Sequence, residues 1–168
     1  MLAILVLAGI ALLAAALEPS LPPVIGQARA SDGDSIRLGE TRIRLLGLDA
    51  PELSQQCDTE TGDQWPCGRV ARDRMAALLA SGPVDCRPDG KDQYGRTLAT
   101  CTVGSHDLGA TMVAAGLAVS LGSYWREEAV ARQASLGIWI GGFDMPRQWR
   151  DDNARPSGLM QWIGDLLP

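Results

Sequence analysis

Five short strand-like stretches, separated by glycine-containing turns, constrain the fold of this chain more than any other feature. Most of them are rich in aliphatic side chains, and Asp32-Gly33 forms a typical hairpin signal after the first stretch. The sequence therefore predicts strands over residues 24–30, 35–38, 41–48, 84–87 and 97–103.

Three helices are predicted between and after these strands. Apolar residues recur at helical spacing over residues 69–79. Gly116 follows the second predicted helix, residues 107–115, and Ser123 and Gly137 bound the third, residues 124–136. Five strands and three helices in 168 residues predict one α+β domain, in which the helices pack against a small barrel.

The formal net charge of −5 excludes a broad basic surface for nucleic acid. The chain has fifteen basic and twenty acidic residues. Residues 45–68 contain five of the acidic residues and no Lys or Arg. An anionic ligand must therefore be held by a few well-placed arginines. The single histidine, His106, excludes zinc sites built from three histidines. The five acids are Asp49, Glu52, Asp58, Glu60 and Asp63.

The first 17 residues form an unbroken apolar run, which a Pro-rich segment follows. Such a start is typical of an export signal or a short membrane anchor, with a buried core helix as the alternative. We expect residues 1–23 to be a signal peptide, or a membrane tether through residues 1–17 with a Pro-rich linker. The protein is then exported, either to a periplasm or out of the cell.

The four cysteines fit an oxidising compartment, where an even number indicates disulfides. Three pairings are possible. We favour Cys57–Cys67, which closes an acidic loop, and Cys86–Cys101, which joins two strands that flank a glycine turn. A four-cysteine zinc site is the alternative, although the chain has no C-x₂₋₄-C pair.

Three polar stretches carry the candidate chemistry: residues 32–35, 44–52 and 92–96. Asp34, Asp49 and Glu52 are hard oxygen donors with no soft ligand among them, a set that selects Mg²⁺, Ca²⁺ or Mn²⁺ over zinc. Pro51 restricts the backbone of Ala50 and so aims its carbonyl. Taken singly, each stretch is more typical of a solvated turn or loop than of a functional site.

Two arginines complete this candidate site. Arg44 and Arg96 present permanently charged, flat donor forks that suit a phosphate group. A divalent cation and two arginines offset the charge on a five-coordinate phosphorus, while a spare carboxylate deprotonates a water. The set therefore predicts phosphodiester hydrolysis.

At these residues the chain resembles the staphylococcal nuclease (thermonuclease) family, over about residues 24–139. The shared motifs are Asp32-Gly33-Asp34-Ser35, the stretch from Arg44 to Glu52, Tyr94-Gly95-Arg96, Gly116-Leu117-Ala118 and Gly137-Ile138-Trp139. The resemblance implies a five-stranded OB-fold barrel with three helices. It also implies a Ca²⁺-dependent phosphodiesterase that cuts DNA and RNA and leaves 3′-phosphate ends.

The resemblance assigns a role to each site residue. Asp34 and Asp49 would hold calcium through their side chains and Ala50 through its carbonyl. Glu52 would be the general base, and Arg44 and Arg96 would bind the phosphate and stabilise the transition state.

The chain also departs from this family. Ala50 replaces a threonine, and Tyr124 is the only tyrosine in the stretch that supplies two base-stacking tyrosines in the family's type member. A second function therefore stays open: a catalytically weak or inactive OB-fold module that binds nucleic acid or a protein partner in the cell envelope.

The predicted organisation is a nuclease domain over residues 24–145 and a C-terminal tail over residues 146–168. We expect the tail to be solvated, because Arg147, Arg150 and Arg155 alternate with aspartates. Residues 159–167 are predicted to form a docking helix. DNA or RNA is the expected substrate, no protein partner is predicted, and the expected state is a monomer.

Overall fold

A computed structural model of the chain describes residues 21–153 and four single positions before them, residues 4, 6, 7 and 9. Within these residues the strands are β1 (Val24–Gly26), β2 (Ala28–Ala30), β3 (Ser35–Leu38), β4 (Thr41–Leu45), β5 (Leu48–Asp49), β6 (Cys57–Asp58), β7 (Gln64–Trp65), β8 (Val84–Lys91), β9 (Thr97–Val103), β10 (His106–Asp107) and β11 (Val119–Ser120). The helices are α1 (Cys67–Leu79), α2 (Leu108–Ala114), α3 (Trp125–Gln133) and α4 (Pro146–Asn153), with a 3₁₀ helix at Gly137–Ile140.

The main sheet is mixed and confirms the α+β class. Its strand order is β1-β8-β9-β4-β3-β2, and β10 adds to β9. All neighbouring pairs are antiparallel except β4 and β9, which run parallel. The two strands at the ends of this order, β1 and β2, are consecutive along the chain and separated by Gln27 alone.

The predicted strand over residues 41–48 is wrong in one respect, because the chain turns at Leu46-Gly47. Gly47 has a φ of 78°, and a Cβ atom there would overlap the side chain of Ser123. The turn takes β5 out of the main sheet to pair with β11. Asp49, at the end of β5, thus pairs with Val119 of β11 instead of continuing the main sheet.

Both predicted disulfides are present. Cys86–Cys101 joins directly opposed residues of β8 and β9 inside the core. Cys57–Cys67 ties β6 to the start of α1. The disulfide therefore fastens the acidic loop to a helix. This loop also contains the short β6–β7 strand pair.

The three predicted helices are confirmed as α1, α2 and α3, and part of the predicted tail forms a fourth helix, α4. The predicted docking helix over residues 159–167 lies outside the described residues, as does nearly all of the predicted signal or anchor. Among the residues described, no helix is both long enough and apolar enough to cross a membrane.

Candidate active site

The β3–β4 hairpin brings the first aspartate motif to an arginine. Ser35 lies opposite Arg44 in the register of the two strands, so Asp34 comes beside the same arginine. Asp32 shapes the turn, because its Oδ1 accepts hydrogen bonds from the backbone N–H groups of Asp34 (3.0 Å) and Ser35 (2.6 Å). Local turn chemistry thus aims the Asp34 carboxylate at Arg44.

Arg44 joins the two predicted metal ligands. Its Nη1 donates to Asp34 Oδ1 at 2.9 Å, and its Nη2 lies 2.9 Å from Asp34 Oδ2 and 2.6 Å from Asp49 Oδ1. Both aspartates are 3% exposed. Asp34 Oδ2 also accepts from the backbone N–H of Ala50, which ties the two motifs together.

Burial and pairing oppose each other in this cluster. Burial raises the pKa of Asp34 to about 7, even though Arg44 and the Ala50 N–H lower it. Burial lowers the pKa of Arg44, but Asp34 and Asp49 outweigh that effect and raise it above its ordinary value. A further cation beside Asp34 would favour its charged form.

Glu52 lies on a loop that a buried glutamine organises. The Oε1 atom of Gln55 accepts from the Glu52 N–H at 3.1 Å, and the Gln55 N–H donates to the Glu52 carbonyl at 2.8 Å. Gln55 is 0% exposed, and its Nε2 donates to the carbonyl of Asp144 at 2.7 Å. One side chain therefore links the Glu52 loop to the segment that precedes α4.

Replacing Gln55 by leucine is expected to lower the free energy of unfolding by about 2–4 kcal/mol. The reason is that leucine removes the hydrogen bonds that the buried Gln55 side chain makes with the Glu52 N–H and the Asp144 carbonyl. Denaturant unfolding of the oxidised protein measures the loss. Gln56→Leu is the matched control because Gln56 is exposed next to it; equal stability of the two variants would contradict this role.

The β8–β9 loop delivers the second predicted arginine. Asp92 Oδ1 accepts from the backbone N–H groups of Tyr94 and Arg96, and its Oδ2 accepts from Arg96 Nε at 2.6 Å. This pairing fixes the Arg96 side chain through Nε. Arg96 immediately precedes β9, and the first residue of β9, Thr97, lies opposite Ile43 on the strand that carries Arg44.

One cleft of about 1230 Å³ unites these groups. It is lined by Arg44, Asp49, Glu52 and Arg96. Asp34 does not line it but is hydrogen-bonded to Arg44, which does. The charged residues predicted from three separate stretches of the sequence therefore meet at one cavity. The other lining residues are Asp32, Arg42, Gln93, Tyr94, Val119, Leu121, Met145, Arg147, Gln148, Arg150, Asp151 and Asp152.

Arg150 lines this cleft, although the sequence analysis placed it in a solvated tail. Its guanidinium contacts Asp49 and Glu52 at 2.8–3.0 Å. The hydrogen bond with Asp49 contributes most to raising the pKa of Arg150 above its ordinary value. Arg42, whose Nη2 donates to the Tyr94 carbonyl, was also missed.

Tyr124, the tyrosine noted for possible base stacking, faces elsewhere. Its hydroxyl donates to Asp107 Oδ1 at 3.2 Å, and that same oxygen caps helix α2 through the Ala110 N–H. Burial and the neighbouring Asp107 raise the pKa of Tyr124 to about 12. This tyrosine therefore fastens α2 and does not line the cleft.

The donor chemistry of the cleft fits a hard divalent cation. Within residues 21–153, no three His, Cys, Asp or Glu side chains form a cluster with the spacing of a metal site. Two buried carboxylates, of Asp34 and Asp49, nevertheless converge on one positively charged atom, Arg44 Nη2. Calcium takes such carboxylate oxygens together with backbone carbonyls and water, and so fits these residues.

In a comparison with known protein families, residues 42–141 match the family described as staphylococcal nuclease homologue. The succinoglycan biosynthesis protein ExoI of Rhizobium meliloti (strain 1021) is 36% identical over 124 residues, which cover 70% of this chain and 65% of that protein. The probable endonuclease LCL3 of Paracoccidioides lutzii is 30% identical over 141 residues, covering 69% and 39% of the two chains.

A plant protein is similar as well. The probable staphylococcal-like nuclease CAN3 of Oryza sativa subsp. japonica is 28% identical over 137 residues, covering 75% of this chain and 33% of that protein. The chain thus spans less than two thirds of the length of each of these three relatives.

Proposed function

This chain belongs to the staphylococcal nuclease family, and from that premise we propose that it is a calcium-dependent nuclease that hydrolyses phosphodiester bonds in DNA or RNA. The observation that carries the proposal is the single cleft lined by Arg44, Asp49, Glu52 and Arg96. Both signs of charge that the reaction needs are present there: carboxylates for a cation and a water, and guanidinium groups for the phosphate.

Asp34, Asp49 and the carbonyl of Ala50 are the residues that would hold calcium. The ion, when bound, would offset the negative charge of the phosphate and of the five-coordinate transition state. The burial of both aspartates supports this assignment, since buried carboxylates gain most from a cation at close range.

The arginines and Glu52 carry the remaining chemistry. Glu52 would orient a water and take its proton as that water attacks phosphorus, and the bond from phosphorus to the 5′-oxygen would break to leave a 3′-phosphate. Arg44 and Arg96 would donate hydrogen bonds to the phosphate oxygens as their charge increases. Arginine keeps its proton, so Arg96 stabilises charge and does not protonate the leaving oxygen.

Fold details and location belong to the same proposal. Because β1 and β2 are consecutive in sequence yet lie at opposite ends of the strand order, we propose that the sheet closes into the OB-fold barrel. The two disulfides support function outside the cytoplasm. The boundaries of the nuclease domain at residues 24 and 145, the tether and the monomeric state stay predictions.

Removal of calcium is expected to reduce cutting of single-stranded DNA at least about a hundredfold, because the ion supplies several kcal/mol of charge stabilisation. The measurement is the initial rate of the oxidised protein with calcium chloride, then with a chelator, then with calcium restored. Products should carry 3′-phosphate ends, which block extension by a polymerase until a phosphatase removes them.

Two outcomes contradict the proposal. Cutting that continues unchanged in chelator would remove the metal from the mechanism. Binding of single-stranded DNA without any cutting, at every calcium concentration, would favour the inactive binding module instead.

A further inference from the structure

Helix α4 carries Arg150, whose guanidinium contacts two carboxylates of the proposed site. Asp49 would hold the metal, and Glu52 would take the proton. Arg150 Nη1 donates to Asp49 Oδ1 at 3.0 Å and to Glu52 Oε1 at 2.8 Å, and Nη2 donates to Asp49 Oδ2 at 2.9 Å. Both oxygens of Asp49 are therefore engaged, and Oδ1 also accepts from Arg44. An ion held by Asp49 needs at least one of these oxygens.

We propose that Arg150 is an internal counter-ion that competes with calcium for Asp49 and Glu52, so that the ion binds only when this guanidinium swings away. The inference rests on the proposed function, because it needs the calcium site. Arg150 then sets the calcium concentration at which the enzyme becomes active. In the ion-free protein it also occupies the Glu52 oxygen that would otherwise bind the attacking water.

Distance and charge make the two cations exclude each other. Calcium lies about 2.3–2.6 Å from its carboxylate ligands, so an ion on Asp49 would enter the space that the N–H groups of Arg150 fill. Positive charges this close repel strongly where water is scarce. Asp49 is 3% exposed, so little water screens them there.

Of the two arginines on Asp49, Arg150 is the one that is able to leave. The Arg44 side chain is 16% exposed and projects from a strand inside the main sheet. The Arg150 side chain is 36% exposed and projects from α4 at the rim of the cleft. Because Pro146 is the buried residue of α4, the helix can stay docked while Arg150 turns into solvent.

Arg147 offers a matched control on the same helix. It lies about one turn before Arg150, lines the same cleft and carries the same charge. Among the described residues it forms no hydrogen bond or ion pair with Asp49 or Glu52. A glutamine at residue 147 therefore removes the same charge without removing the contact.

The test is isothermal titration of the full, oxidised chain with calcium chloride. Arg150→Gln is expected to bind calcium about tenfold more tightly than the wild type, and Arg147→Gln less than about twofold. Arg150→Lys should fall between them, because one ammonium group cannot bridge both carboxylates. In chelator, the melting temperature of Arg150→Gln should lie below that of the wild type, and calcium should raise it by more.

Several results would overturn this inference. Equal calcium affinity of the wild type and Arg150→Gln would show that the two cations do not compete, and the metal site itself would stand. Weaker binding by the variant would make Arg150 a support of the site. Absence of calcium binding in the wild type and in every variant would refute the counter-ion role together with the proposed metal. Loss of calcium binding in Asp49→Asn, with binding kept in the other variants, would show that the titrated ion binds at Asp49.

Discussion

Replacing Glu52 by glutamine is expected to reduce the rate of DNA cutting at least about a hundredfold at saturating calcium. Glutamine keeps the shape of the side chain and an oxygen that accepts from Arg150 Nη1, but it cannot take a proton from water. The measurement is the initial rate on single-stranded DNA, with calcium affinity measured in parallel so that a change in ion binding is not mistaken for a change in chemistry.

The acidic loop itself supplies a control for this variant. Glu60 lies in the loop that the Cys57–Cys67 disulfide closes and is exposed, so Glu60→Gln removes an equal charge away from the cleft. We expect this variant to cut at the wild-type rate. Equal rates for Glu52→Gln and the wild type would reject Glu52 as the general base and leave the fold assignment untouched.

Two contacts within the predicted site are created by local structure. Asp34 meets Arg44 because a short hairpin joins them, and Arg96 is held by Asp92 four residues earlier. Motif spacing contains this information, since turn geometry fixes the register of nearby residues. The disulfide between Cys86 and Cys101 was predictable for the same reason, because one glycine turn separates its strands.

The contacts that were missed join distant parts of the chain. Arg150 is 101 residues from Asp49, and Gln55 is 89 residues from Asp144. A single arginine among aspartates carries no periodic or motif signal, and a lone glutamine in a polar loop carries none either. Only the packing of α4 beside the Glu52 loop gives these residues partners.

The break at Gly47 shows a second limit of the sequence pattern. Residues 41–48 have the composition of one continuous strand, but the chain turns at Leu46-Gly47, where the close approach of Ser123 leaves no room for a Cβ atom at residue 47. The break has a functional consequence, because it lets β5 pair with β11 and carry Asp49 to the cleft. Tertiary contact overrides local preference here.

Replacing Arg44 by lysine is expected to cost about 10²–10³-fold in cutting rate, the usual effect of losing one donor to a developing phosphate charge. Arg44 also holds Asp34 and Asp49 together through two nitrogen atoms. A lysine ammonium keeps the charge but cannot make these separated contacts at once. The free energy of unfolding of the variant is therefore expected to be lower as well, by about 1–3 kcal/mol. Denaturant unfolding measures this loss.

The two effects can be separated by measurement at fixed calcium and low temperature, where both proteins are fully folded. Arg37→Lys is the matched control, because Arg37 is exposed on the neighbouring strand β3 and does not line the cleft. If Arg44 acts only as a structural bridge, the folded variant should cut at nearly the rate of the control. A large loss of rate in the folded Arg44→Lys protein, with calcium affinity little changed, instead locates its action on the phosphate.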